Sequence, residues 1–303
     1  MEISLGTSVG KINLERPVML ASGILGISLD VFNRLYRSGA GAVVTKSLSK
    51  EPWEGYPNPT IFSVNGGGWI NAVGLSNPGA PNFAKMIEPN TKVPIIVSLV
   101  GSIPEDFEFM IKEFANCKVA GFELNLSCPH VAKVGLEVGD DPELVKKIVS
   151  VAKKSTNVPI IAKVGLGTMN YLETVGVAIE SGIDAITAIN TVRAIAIDVE
   201  TQRPILSNKF GGLSGTPIKP IALRCVYEIS SKYNIPIIGC GGISTWEDAV
   251  EFFLAGASAI QIGSAVGDNW MNIFDDINNG ILRYMEKKEI SKIEEMVGLA
   301  KKS

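Results

Sequence analysis

Residues 234–264 read NIPIIGCGGISTWEDAVEFFLAGASAIQIGS. A proline leads into a short apolar run that stops at Gly241–Gly242. Proline is tolerated as the first residue of a strand, where its missing N–H does little harm. Next comes STWEDAVEFFLAG (244–256), apolar at helical spacing, with Ser244 followed three residues on by Glu247 as in a capping box. A small-residue turn, AGAS, then opens a second buried run, AIQIGS. Strand, helix and strand within roughly 30 residues make one βα repeat.

Both kinds of strand opening recur along the chain. Proline-led strands are RPVMLASG (16–23), KVPIIVSLVG (92–101), NVPIIAKVG (157–165) and NIPIIGCGG (234–242). Glycine-turn strands are SGAGAVVTKS (38–47), VAGFELNLS (119–127), SGIDAITAIN (181–190) and AGASAIQIGS (255–264). The two sets alternate without a break, at intervals averaging about 34 residues. Helical patterns such as EDFEFMIKEFA (105–115) and PELVKKIVSVAKK (142–154) lie between them. Eight such units predict an α/β fold, a (β/α)8 or TIM barrel, as one domain over residues 1–303. A doubly wound open sheet is the alternative, but ASGILG (21–26) matches its glycine-rich first turn poorly.

Three connections exceed simple βα loops: 47–92, 128–141 and 191–219. All follow even strands, so all emerge on the C-terminal face, where barrel active sites sit. The first is rich in Gly, Pro and Asn and predicts short β-hairpin pieces. Segment 270–302 predicts one or two terminal helices.

Composition narrows the function. The 303 residues carry a formal charge of −3 and 46% hydrophobic residues. That excludes disorder and argues against a broad basic surface for nucleic acid. No apolar run reaches a membrane span of roughly 18 residues. The N-terminus lacks the pattern of a signal peptide. Four cysteines without CxxC spacing argue against a metal cluster or a disulfide framework, and place the chain in the reducing cytoplasm. The single histidine, His130, excludes a multi-histidine metal site.

The C-terminal strand ends hold Ser22, Lys46, Ser98, Asn125, Lys163, Asn190, Gly241–Gly242 and Gly263–Ser264. Two lysines and two asparagines without a carboxylate argue against paired-carboxylate hydrolysis and against Mg²⁺. The glycines after strands seven and eight suit a phosphate, or else serve tight turns. A buried Lys163 needs a counter-charge. A flavin next to that phosphate site would supply one, because its N1/O2 edge becomes anionic on reduction; a salt-bridged lysine is the alternative. Lys46 faces either the cofactor or an anionic substrate. Asn71, Asn125 and Asn190 suit a ring with alternating N–H and C=O groups, although each alone also reads as a turn former. Cys128, in NLSCPH, is a loop thiol able to accept or donate a proton. His130 beside it could tune that thiol, bind substrate or stay solvated. Cys117, Cys225 and Cys240 read as packing residues.

These segments resemble the class 1 dihydroorotate dehydrogenases over nearly the whole chain. The most specific are NAVGLSNPG (71–79), ELNLSCP (123–129), and GGLSG with IKPIALR (211–224). The resemblance implies an FMN-dependent oxidation of (S)-dihydroorotate to orotate. It implies that Ser22, Lys46, Ser47, Ser98, Asn125, Lys163, Ile189, Gly215, Gly241, Gly242, Gly263 and Ser264 hold FMN. It implies that Lys46, Asn71, Ala72, Val73, Gly74, Leu75, Asn125, Asn190 and Thr191 hold the pyrimidine, and that Cys128 is the catalytic base. With ASG reached by residue 21, no room remains for the membrane-facing extension of class 2. NAVGLSNPG is closer to the subclass paired with an iron–sulfur/FAD subunit, which implies a homodimer within a heterotetramer. Two departures stand out. The family usually has Asn where His130 and Ser98 stand, which leaves a related substrate such as dihydrouracil open. A dihydrouridine synthase acting on RNA and a non-redox sugar-phosphate barrel are the rival readings.

Overall fold

The computed structural model describes residues 3–127, 138–167 and 170–302. Eight parallel strands close into a barrel: β1 (Val18–Leu20), β2 (Ala42–Val44), β3 (Ile95–Leu99), β4 (Gly121–Asn125), β5 (Ile160–Val164), β6 (Ala185–Ala188), β7 (Ile237–Cys240) and β8 (Ala259–Ile262). Each pairs with its neighbours in sequence, and β8 pairs with β1. All eight fall inside the segments singled out by sequence, and closure excludes the open sheet.

These strands are apolar on both faces because both faces are covered. Outward residues such as Leu20, Val97, Leu124 and Ile262 pack against the surrounding helices, where Phe32, Phe107, Phe252 and Phe253 are fully buried. Inward residues Met19, Ala42, Val44, Ile96, Ile161, Ala185, Ile238 and Ala259 form a second core. An N-terminal hairpin, Thr7–Val9 with Ile12–Leu14, adds Val9, Ile12 and Leu14 to that core. Thr7 Oγ1 donates to the Ser258 carbonyl at 2.9 Å, just before β8, so the hairpin plugs the N-terminal end of the barrel.

Two long connections meet above the C-terminal end. Ile61–Val64 and Gly68–Asn71, from the excursion after β2, form the expected hairpin. Val192–Ile195 and Phe210–Gly215, after β6, pair with each other, and Phe210–Gly215 also pairs with Gly68–Asn71. The result is one four-stranded antiparallel sheet, a junction that no local pattern announced. The third connection, after β4, lies mostly outside the described residues.

The helix expected over 244–256 is Trp246–Ala255, and its cap sits one residue later than the pattern implied. Thr245 is the N-cap: its Oγ1 accepts from Asp248 N at 3.3 Å, and the Asp248 carboxylate accepts from Thr245 N at 3.0 Å. Asp248 wins over Glu247 because it faces inward, where Ser244 N and Oγ also donate to it and Lys219 pairs with it at 2.7 Å. Segment 270–302 holds one α-helix, Ile273–Lys287, followed by short 3₁₀ turns. Thr245→Ala is expected to lower the unfolding free energy by about 1 kcal/mol. Glu247→Gln should stay within about 0.5 kcal/mol of the native protein. Urea denaturation of the two variants side by side checks the register of the cap.

Candidate active site

Polar residues stand at or within a few positions of several strand ends, where the chain leaves the apolar core. At the C-terminal mouth these residues find one another. The Ser47 and Ser98 hydroxyls are hydrogen-bonded at 2.9 Å, and Ser22 Oγ lies 3.4 Å from Ser47 Oγ. Asn125 Nδ2 donates to Ser47 Oγ at 3.1 Å. Asn190 Nδ2 donates to Asn125 Oδ1 at 3.3 Å and also to Ser127 Oγ, while Asn190 Oδ1 accepts from Thr191 N at 2.8 Å. Ends of β1, β2, β3, β4 and β6 are thereby tied into one chain of hydroxyls and amides. Ser98 is fully buried, and its hydroxyl occupies itself with Ser47. Ile189, at the end of β6, is buried beside Asn190.

Asn71 ends an inner strand of the upper sheet, and its Nδ2 donates to the Gly212 carbonyl at 3.3 Å. A side chain on Gly212 would collide with Thr191, and one on Gly211 would meet the Asn71 carbonyl at 2.6 Å. That contact explains the paired glycines of GGLSG, and it brings Asn71 and Thr191, distant in sequence, to one place. Ala72 is buried, with Val73, Gly74 and Leu75 half-buried after it. Asn77 pins this stretch. Buried itself, it donates to the Leu75 carbonyl at 2.7 Å and accepts from Gly79 N at 2.8 Å. Ser49 N adds a third bond at 3.1 Å. Nothing local in NAVGLSNPG sets Asn77 apart from an ordinary turn former.

The glycines divide into two kinds. Gly241 and Gly242 have positive φ, and a Cβ on them would meet Ala222 or the Lys219 backbone at 2.8 and 2.7 Å. Gly215, also at positive φ, would run into Gly67. Internal packing alone requires these three. Gly263 differs: its Cβ would meet only Ala21, at 3.6 Å. Half-buried, it leaves a cradle beside Ser264 that the described residues do not fill.

Lys163 follows the salt-bridged alternative: the structure gives it a carboxylate of its own. Glu123, fully buried on β4, places Oε1 3.8 Å from Lys163 Nζ. Burial pulls the Lys163 ammonium down, Cys240 and Glu123 push it up, and the balance lies above the ordinary lysine value. The strand ends therefore do have a carboxylate nearby, one pleat deeper. It was legible as a charge inside the apolar run GFELN, on the same face as Asn125 by the alternation of a strand. Gln261 and Thr187, equally inward and buried, were missed for the same reason.

Lys46 is half-buried at the end of β2. Burial pulls its ammonium below the ordinary range, and no carboxylate of the described residues pairs with it. Cys128 and His130 lie outside the described residues. Cys225 and Cys240 are buried and Cys117 is half-buried, in keeping with packing roles. Among the described residues no cluster could hold a metal ion, and no helix is long and apolar enough to cross a membrane.

Comparison with known proteins decides what such a mouth belongs to. Residues 4–285 match the family model described as dihydroorotate dehydrogenase. The chain belongs to the dihydroorotate dehydrogenase family. A Pyrococcus furiosus protein named dihydroorotate dehydrogenase B (NAD(+)), catalytic subunit, is 49% identical over 96% of this chain and 97% of its own. Proteins of the same name from Thermococcus kodakarensis and Methanothermobacter thermautotrophicus are 47% and 44% identical, over 98% and 99% of each chain. Two ammonium groups, a row of hydroxyls and amides, and the cradle at Gly263 fit the flavin on which a dihydroorotate dehydrogenase depends.

Because Lys46 is held below its ordinary range, the folded state binds that proton more weakly than the unfolded chain does. Stability from this site therefore rises with pH through that window and is lowest below it. Lys46→Met is expected to raise the unfolding temperature of the flavin-free protein, most at low pH and less as pH rises. Thermal unfolding across a pH series checks this, and a lowered temperature would mean that the ammonium has a stabilising partner.

Proposed function

We propose that residues 1–303 form one FMN-binding barrel domain that oxidises (S)-dihydroorotate to orotate on the way to UMP. The observation that carries this reading is the polar chain Ser22–Ser47–Ser98–Asn125–Asn190 across the barrel mouth, beside Lys46 and Lys163, in a member of this family. FMN, when bound, supplies a two-electron acceptor for the hydride that leaves substrate C6. Lys163 supplies positive charge at the mouth, Ser22, Ser47, Ser98 and Asn125 hold the ring through the network they build, and buried Ile189 packs beside it. Gly215, Gly241, Gly242, Gly263 and Ser264 receive the phosphate end, with the cradle at Gly263 open to it.

Asn71, Ala72, Val73, Gly74 and Leu75 form one wall for the pyrimidine, and Asn125, Asn190 and Thr191 the other. Lys46 faces its carboxylate. A half-buried ammonium with no carboxylate partner among the described residues is a strong anion ligand, because a carboxylate restores the charge balance that burial upset. Cys128 takes the C5 proton. An unperturbed thiol titrates near about 8.5, close enough to neutrality for that transfer. Loss of a proton from C5 and a hydride from C6 leaves the C5=C6 double bond of orotate, so atoms and electrons balance.

The relatives are named as catalytic subunits linked to NAD(+). That supports a homodimer of this chain joined to two iron–sulfur/FAD subunits that pass electrons to NAD⁺. Unpaired thiols at Cys117, Cys225 and Cys240 support a cytoplasmic setting.

Anaerobic mixing of dihydroorotate with the purified yellow protein should bleach its visible absorbance. A colourless protein would favour a sugar-phosphate barrel. Bleaching by dihydrouracil instead would tie the departures at His130 and Ser98 to a different substrate. Cys128→Ala should keep its flavin and lose turnover by about a hundredfold or more. Steady-state assay of that variant checks the base, and near-native turnover would move the role elsewhere.

A further inference from the structure

Beneath the mouth, Lys163 belongs to a buried circuit whose other members have no part in binding either ligand directly. Glu123 Oε2 accepts from Thr187 Oγ1 at 2.9 Å and from Gln261 Nε2 at 2.8 Å. Its other oxygen, Oε1, makes no hydrogen bond and lies 3.8 Å from Lys163 Nζ. Lys163 Nζ in turn donates to Gln261 Oε1 at 3.4 Å. Four strands, β4, β5, β6 and β8, contribute one residue each. Both neighbours of Oε2 donate to it, which leaves Oε1 turned to the ammonium without a hydrogen bond of its own. Gln261 can serve both partners only with its oxygen toward the lysine and its nitrogen toward the glutamate.

Such a circuit is costly to bury. A lone ammonium in a barrel interior would shed its proton, and a lone carboxylate would take one up. The other titratable group facing Lys163 among the described residues is Cys240, on β7. Burial pushes its thiol up, so it adds negative charge beside the lysine only where it ionises, whereas Glu123 is the carboxylate paired with Lys163. Thr187, Gln261 and Ser98, on β6, β8 and β3, do not titrate, and Met19 and Val44 are apolar. The charge that balances Lys163 is that of Glu123.

We propose that Glu123 is a positioning residue that keeps Lys163 cationic whether the flavin is oxidised or reduced. This rests on the flavin reading above. An oxidised flavin is neutral and a reduced one carries negative charge at its N1 edge. Without Glu123 the lysine would be neutral beside the oxidised ring and would take up a proton on reduction. With Glu123 in place the lysine holds its proton throughout, and reduction costs no proton uptake at this site.

The test is the midpoint potential of the bound flavin against pH in the native protein, Glu123→Gln and Glu123→Asp. Native protein and Glu123→Asp should give parallel lines. Glu123→Gln should add one proton per two electrons between the lysine's two titrations. That is a tenfold change in the reduction equilibrium per pH unit, about 30 mV for a two-electron couple. A purely structural ion pair would alter stability and leave the lines parallel, and parallel lines for Glu123→Gln overturn the proposal. Should that variant fail to fold, the reduced-minus-oxidised infrared spectrum of the native protein decides. It should show no carboxylic-acid band, and a band attributable to Glu123 protonation overturns the proposal. Protein that takes up no added FMN overturns this proposal together with the flavin reading. Bound flavin with parallel lines overturns this proposal alone.

Discussion

An ammonium group inside a closed barrel sets the terms for everything above it. The interior of eight strands is filled by their own side chains, with no water to solvate a charge. Lys163 survives there because Glu123, Gln261 and Thr187 surround it with one opposite charge and oriented dipoles. The pair is a poor source of stability, since desolvating two ions offsets most of their attraction. Its value is local: a fixed positive centre under the mouth, held rigidly by four strands whose spacing the barrel hydrogen bonds determine.

The barrel interior thus has two characters. Its N-terminal half is an apolar floor shared with the hairpin residues Val9, Ile12 and Leu14. Its C-terminal half carries acid, base, amide and hydroxyl groups. The mouth is then finished by segments outside the barrel. Two excursions, from β2 and β6, join in one sheet, and the joint places Asn71 against Gly212 and Thr191. Neither excursion forms that wall alone. The site is therefore as much a product of long-range strand pairing as of the barrel, and its geometry depends on glycines that let backbones touch.

What the sequence disclosed follows from the range of the interactions involved. The eight strands were legible because each has a local signature, a proline or glycine opening followed by a buried run. The strand-end residues were legible because a βα turn follows each strand by rule. Ser22, Ser98, Asn125, Lys163 and Asn190 indeed converge. The partner of Lys163 was not read, since Glu123 looks like part of an apolar run until strand alternation is combined with barrel closure. The cap at Thr245 was missed by one residue because Glu247 and Asp248 are both acidic, and only packing chooses between them. The upper sheet escaped notice because residues 68–71 and 210–215 lie more than 130 positions apart.

The plugged floor has a consequence for traffic. With the hairpin sealed against the packed lower core, the described residues leave the C-terminal mouth as the way in. Two ligands sharing one mouth must obey an order: whichever sits deeper arrives first and departs last. The deeper ligand is in effect a resident, and the shallower one a visitor whose comings and goings never require the resident to leave.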